Sequence, residues 1–428
     1  MRPFLALLLL ALPAAAMEFP APVTDDAYRE TDPDVVALGR LLFWDPILSG
    51  NQNISCGTCH HPRFGTGDGL ALGLGEGGTG LGPERVASET NPPEQRVPRN
   101  APGLWNLGAR EFTVLFHDGR IEETGNGLRT PMGDEMEAGF ATLLSAQTMF
   151  PVLSADEMAG HYAENEVSRA VRQGIITGAG GAWDLLSARV RALPDYRERF
   201  AAAMPGREIG FTAISDAIAQ FVEHEWRSDT SPFDEWLRGT GTLADEALAG
   251  VELFYGSAGC GGCHSGPFQT DHRFHATGQP QLGPGKAASF ERHARDDGRM
   301  RVTGRAEDAF AFRTPSLRNV TETGPWGHAG AHADLRAFLA DHAAPRAALA
   351  RYDRRVPLPP LPVKDWRVMD DPAEVTALAA AVRGPDRVLT DAELDALMAF
   401  LTALRDEGAL AGRLGIPDAV PSGLPVDR

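Results

Sequence analysis

From Glu164 to Leu237 apolar residues return every three to four positions. ENEVSRAVRQGIIT, AWDLLSARVRAL, DYRERFAAAM and TAISDAIAQFVEHEW each put one apolar stripe on a helix. DPDVVALGRLLFWDP near the start has the same period, as does EALAGVELFY after a break at RGTGTLADE. Near the end, TDAELDALMAFLTALRDEG predicts a helix with Thr390 as N-cap and Glu393 completing a capping box. Leu394, Leu397, Phe400, Leu401 and Leu404 share its apolar face. Between Gly65 and Pro102 glycine and proline dominate and no period lasts, which predicts a long loop. No segment alternates with period two strongly enough to compete. The expected fold class is therefore all-α, in two units, residues 17–239 and 240–428, each reading as helix, loop, helices.

The four cysteines give this pattern its chemistry. They stand in NISCGTCHHP and SAGCGGCHSG, so both copies read CxxCH: Cys56, Cys59 and His60, then Cys260, Cys263 and His264. Such a segment lets two thiols add to the vinyl groups of a haem while the next histidine ligates the iron. A zinc ribbon would bring two CxxC pairs within about 15 to 20 residues, whereas these copies lie about 200 positions apart. A thioredoxin-type pair would follow a buried strand, and both copies sit in glycine-rich loops. Two covalently bound haem c groups are the expectation.

Residues 1–16, with Arg2, an apolar run from Phe4 to Leu12 and Ala14 to Ala16, read as a signal peptide. Export to the periplasm suits haem c, and no later stretch has membrane-spanning length. The 58 acidic and 40 basic residues leave a net charge of −18. This speaks against nucleic acid and acidic membrane surfaces, and favours a basic protein partner.

LGRLLFWDPILSGNQNISCGTCH, PRNAPGLWNLG, FHDGR, FPVLSADEM, RTPSLRNVTETGPWGHAG and the final helix occur in one order over nearly the whole mature chain. In this the chain resembles the bacterial di-haem cytochrome c peroxidases, including their MauG-like branch. The resemblance implies two cytochrome c-like domains. His60 would be the proximal ligand of a peroxide-binding haem and His264 that of an electron-transfer haem.

The resemblance also locates what lies opposite each iron. Many family members block the first iron with a histidine in the loop after the first CxxCH, yet Phe64 to Arg99 contains neither histidine nor methionine. The first haem is expected to stay open, and His61 is read as a surface residue. The family's sixth ligand at the second haem falls fourteen residues after the histidine matched by His328, which gives His342. A helix-ending role for His342 would leave Met300, Tyr352 or Met369. Glu157 in AQTMFPVLSADEM matches the family's acid, and Gln147 its glutamine. A carboxyl group there can carry a proton between the two oxygens of hydrogen peroxide. Asn100 with Thr323 and Pro325 matches a calcium site between the haems, and such oxygen donors suit that hard cation.

Two departures stand out. His117 replaces the tryptophan relay between the haems, which leaves tunnelling through His117 or a role for Trp105 or Trp326. About 20 extra residues separate Arg120 from Pro151, expected to form a lid or docking surface. His272 and His275 are read as packing near the second haem's propionates. The expected function is reduction of hydrogen peroxide with electrons from a small cytochrome c or copper protein, in a chain that resembles dimeric relatives. The alternatives are a MauG-like oxidase modifying a partner protein, and a di-haem electron carrier.

Overall fold

The computed structural model describes residues 19–287, 291–384 and 386–428, so the expected signal peptide lies outside the described residues. Among them no helix is long and apolar enough to cross a membrane.

Two helix pairs organise the chain. Pro33–Trp44 begins where the Asp32 carboxylate caps the Asp34 and Val35 N–H groups, with Pro33 in the first turn. It crosses Phe211–Glu225 at Gly39, where a Cβ would lie 1.8 Å from the Ala217 carbonyl oxygen. Asp245–Tyr255 crosses Asp391–Ala403 in the same way, with a Cβ on Gly250 falling 2.0 Å from the Ala396 oxygen. Each glycine lets two backbones touch, which sets the crossing that precedes each CxxCH loop. The predicted capping box at Thr390 and Glu393 is present. The first pair centres a core containing Trp44, Trp183, Phe221 and Trp226. The second centres one containing Phe254, Leu397 and Phe400.

The all-α expectation is corrected. Three small antiparallel sheets are present: Gly78–Thr79 with Val86–Ala87, then Val114–Leu115 with Ile121–Thr124 and Gly127–Arg129, then Phe274–His275 with Phe312–Arg313. Strands of two to four residues are too short to imprint an alternating pattern. They tie down loops rather than build a core. The extra stretch after Arg120 supplies the middle hairpin, and its Glu122 takes an ion pair from Arg299 at 2.7 Å.

The glycine-rich loop is ordered by buried arginines. Arg85 donates to the Gly75 and Gly80 carbonyls at 2.6 and 2.7 Å. Arg96 pairs with Asp365 at 2.8 Å, while Arg99 bridges Asp296 at 2.6 Å and Asp118 at 2.8 Å. The Arg96–Asp365 and Arg99–Asp296 pairs fasten the loop to the second half of the chain.

The end of the chain returns to the first half. The Glu225 carboxylate accepts three N–H groups, from Arg413 (3.1 Å), Leu414 (2.7 Å) and Gly415 (2.9 Å). Asp45 accepts from Tyr196 and Ser422 at 2.7 and 2.6 Å, and Thr58, inside the first CxxCH, donates to Asp427. His61 is a second correction. It is 2 % exposed, sits edge-on to Trp44 with ring centres 5.5 Å apart, and accepts from the Arg63 N–H, because the turn after His60 folds it inward.

Candidate haem sites

The two CxxCH segments fold alike. Cys56–Cys59 is one helical turn capped by Ser55 and Thr58, and Cys260–Gly262 is one tight turn. Each following histidine folds back on its own loop. His60 Nδ1 lies 3.0 Å from the Thr66 carbonyl, and His264 Nδ1 lies 3.0 Å from that of Gln269. A carbonyl only accepts, so each Nδ1 carries the proton and each Nε2 is bare, as a metal-ligating imidazole requires. Both acceptor residues are left-handed, Thr66 at φ 68° and Gln269 at φ 51°, which turns their carbonyls toward the rings. Burial holds both histidines below the usual imidazole range and pushes the Cys56 and Cys59 thiols up to about 12. A redox-active pair would need the opposite shift.

The halves differ in what faces the histidine. His342, near the end of the helix Leu335–Ala343, opposes His264 with ring centres 6.4 Å apart. Two metal–imidazole bonds of about 2 Å each, plus the two ring radii, come to roughly 6 Å. An iron therefore fits between these rings. Burial, with His264 nearby, lowers the His342 pKa to about 4, which keeps it neutral and able to ligate. Cys260, Cys263, His264 and His342 share one largely apolar cavity with Phe254, Phe338 and Leu397. Met300, Tyr352 and Met369 are not among its lining residues. This wall fits a haem.

The same cavity continues toward the first half. Asn100, Trp105, His117, Gln147, Thr323, Pro325 and Trp326 all line it. Gln147 Oε1 is buried there without a hydrogen-bond partner. The Trp105 indole donates to Gly65 at 3.0 Å, and His117 Nε2 lies 3.2 Å from the Asn100 carbonyl. Asn100, Thr323 and Pro325 line the same cavity, the Asn100 amide nitrogen donating to Leu70 at 2.8 Å and the Thr323 hydroxyl to Val320 at 3.3 Å.

Cys56, Cys59, His60 and Glu157 do not line this cavity. Glu157 sits in a single π turn, Ala155–Ala159, a form often found at functional positions. Its charge helps raise the Cys59 thiol, which places it beside the first haem loop. Burial raises the Glu157 pKa, opposed by Lys286 and Arg120. Lys286 comes from the second half and carried no motif to reveal it. His272 meets Glu111 at 2.9 Å, and His275 meets Asp271 at 2.8 Å and lines the cavity that His264 and His342 face.

Residues 33–242 match the family model described as di-haem cytochrome c peroxidase. The methylamine utilization protein MauG of Methylorubrum extorquens is 31% identical over 338 residues, 78% of this chain and 75% of that protein. The chain belongs to the di-haem cytochrome c peroxidase family. The cytochrome c551 peroxidase of Nitrosomonas europaea is 30% identical over 71% of this chain and 70% of its own. The crystal structure of a MauG-like protein associated with microbial copper homeostasis superposes with a TM-score of 0.58 at 25% identity, covering 93% of this chain and 96% of that one. This di-haem peroxidase is thus an oxidoreductase acting on hydrogen peroxide, with haem as cofactor and a redox protein as partner.

Proposed function

We propose that the two haems divide the reaction, with hydrogen peroxide reduced at the His60 haem and electrons passing through the His264 haem. The observation that carries this division is the asymmetry of opposing ligands. His342 stands 6.4 Å from His264, whereas residues 64–99 offer His60 no histidine or methionine. Covalent attachment would run through Cys56 and Cys59 for the first haem, and through Cys260 and Cys263 for the second. The haems supply the redox chemistry.

The chain's own groups handle protons and position. Glu157, whose pKa burial raises, moves a proton from one oxygen of hydrogen peroxide to the other. Gln147, with its unpartnered carbonyl oxygen, orients the peroxide by accepting a hydrogen bond. His117 and Trp105, which line the cavity that His264 faces, would carry electrons between the two sites. A calcium ion held by Asn100, Thr323 and Pro325 would brace that path. The electron donor is a small cytochrome c or a copper protein, and the enzyme works in the periplasm after export.

Electron paramagnetic resonance of the resting enzyme tests the division. One high-spin and one low-spin haem are expected, and two low-spin haems with no high-spin signal would refute it. A second reading, oxidation of residues on a partner protein in the manner of a MauG-like oxidase, is favoured by the unblocked first loop. Rapid peroxide consumption with reduced cytochrome c as donor would exclude it.

A further inference from the structure

Four arginines line the cavity that His264 and His342 face: Arg313, Arg318, Arg383 and Arg387. Three have their charge or donors accounted for. Arg318 pairs with Asp234 at 2.5 Å, and Arg387 pairs with Glu393. Arg383 is exposed, so solvent serves its charge, and its Nη1 donates to the Ala380 and Ala381 carbonyls at 3.0 Å, at the end of the helix Pro372–Ala381. Arg313 differs. Its Nε and Nη1 donate only to the Phe116 and Thr314 carbonyls, at 3.3 and 3.2 Å. Among the described residues it has no carboxylate partner, and its Nη2 makes no hydrogen bond. Burial alone depresses its pKa to about 10. Arg313 is half-buried, and a guanidinium partly removed from water without a counter-charge is stabilised when an anion joins it.

We propose that Arg313 anchors a propionate of the second haem, its free Nη2 edge pairing with that carboxylate. This rests on the assignment of His264 and His342 to one haem. A haem carries two propionates, and Arg–carboxylate pairing is geometrically specific. The second haem is chosen over the first because Arg313 is fixed to its loop. The Thr270 hydroxyl donates to the Thr314 carbonyl at 2.7 Å, and Phe312–Arg313 pairs with Phe274–His275 directly after that loop. The Arg313 N–H also donates to the His117 carbonyl at 2.8 Å, so the same residue ties the propionate edge to the path between the haems. Neutralising a propionate favours the reduced haem, which offsets the low potential expected of two imidazole ligands.

Potentiometric titration of the low-spin haem bands in the two-haem enzyme tests this with Arg313→Gln and Arg313→Lys. The Gln variant should shift the reduction equilibrium against the reduced form about tenfold, about 59 mV for one electron, and the Lys variant less. An unchanged low-spin midpoint, or a shift confined to the high-spin haem, would overturn the proposal. The wild-type spin states report on the ligand assignment separately. Where the Gln variant yields too little protein, redox-difference infrared spectra of wild type and Arg313→Lys decide. A moved propionate carboxylate band supports the pairing and an unmoved one ends it.

Discussion

Gln279 Nε2 lies 3.3 Å from Nδ1 of His342, while Gln279 Oε1 is buried with no partner at all. Turning this amide over places Oε1 on a protonated Nδ1 and leaves His342 Nε2 free for iron, in exchange for the long 3.4 Å bond from Nε2 to the Thr277 hydroxyl. Gln279→Leu removes that support. The low-spin signal of the second haem should weaken or broaden, with a stability loss of about 1 kcal/mol from the missing hydrogen bond. A low-spin spectrum identical to wild type would show that His342 needs no such support.

Glu157→Gln keeps the shape of the side chain and removes the proton transfer proposed for it. Peroxide reduction should fall by about 10² to 10⁴-fold, while the absorption spectrum of both haems stays as it was. Steady-state turnover with a reduced donor measures this. Retained turnover would assign the proton step to another group.

His328 should make stability sensitive to acid. It is 5 % exposed, stacked on Phe312 with ring centres 3.9 Å apart, and faces Asp296, Arg99 and His117. Burial depresses its pKa from 6.5 to about 4, with Asp296 opposing and Arg99 reinforcing that shift. Because the folded value is the lower one, the unfolded chain gains the proton first. Stability is full above pH 6.5 and is lost as the pH falls toward 4, at about 1.4 kcal/mol for each unit between the two values. Urea midpoints at several pH values check this, and His328→Gln should flatten the dependence.

Gly250→Ala pushes a methyl group into the Ala396 carbonyl, 2.0 Å away. The two helices must separate, costing roughly 1 to 3 kcal/mol as in other overpacked contacts. Thermal unfolding read on the second haem's absorption should shift down more than that read on the first. Equal shifts would mean that the two helix pairs do not unfold separately.

Much of this was legible in the chain. The 3.6-residue period marked the helices, and Thr390 with Glu393 marked a cap, because both are local effects of backbone geometry. The spacing within CGTCH and CGGCH fixed the candidate anchors for the same reason. His342 was reachable only through its distance from His328 in a family pattern. Lys286, Gln279 and Arg313 carried no local signal, since their meaning lies in partners far along the chain. The short strands escaped because two residues cannot show alternation.

By itself the sequence determined two equivalent haem-binding segments, the helices that lead into them and the acid and glutamine ahead of the second. The family pattern already gave them different opposing groups, and only the tertiary structure brought those groups face to face. It set His342 across from His264, left Arg313 without a counter-charge in the same cavity, and bound Asp427 from the end of the chain to Thr58 in the first motif. The physical reason is range. A turn and its proximal histidine are fixed within a few residues by covalent geometry, whereas the opposite face of each haem is built by residues that meet only once the two helix pairs have packed.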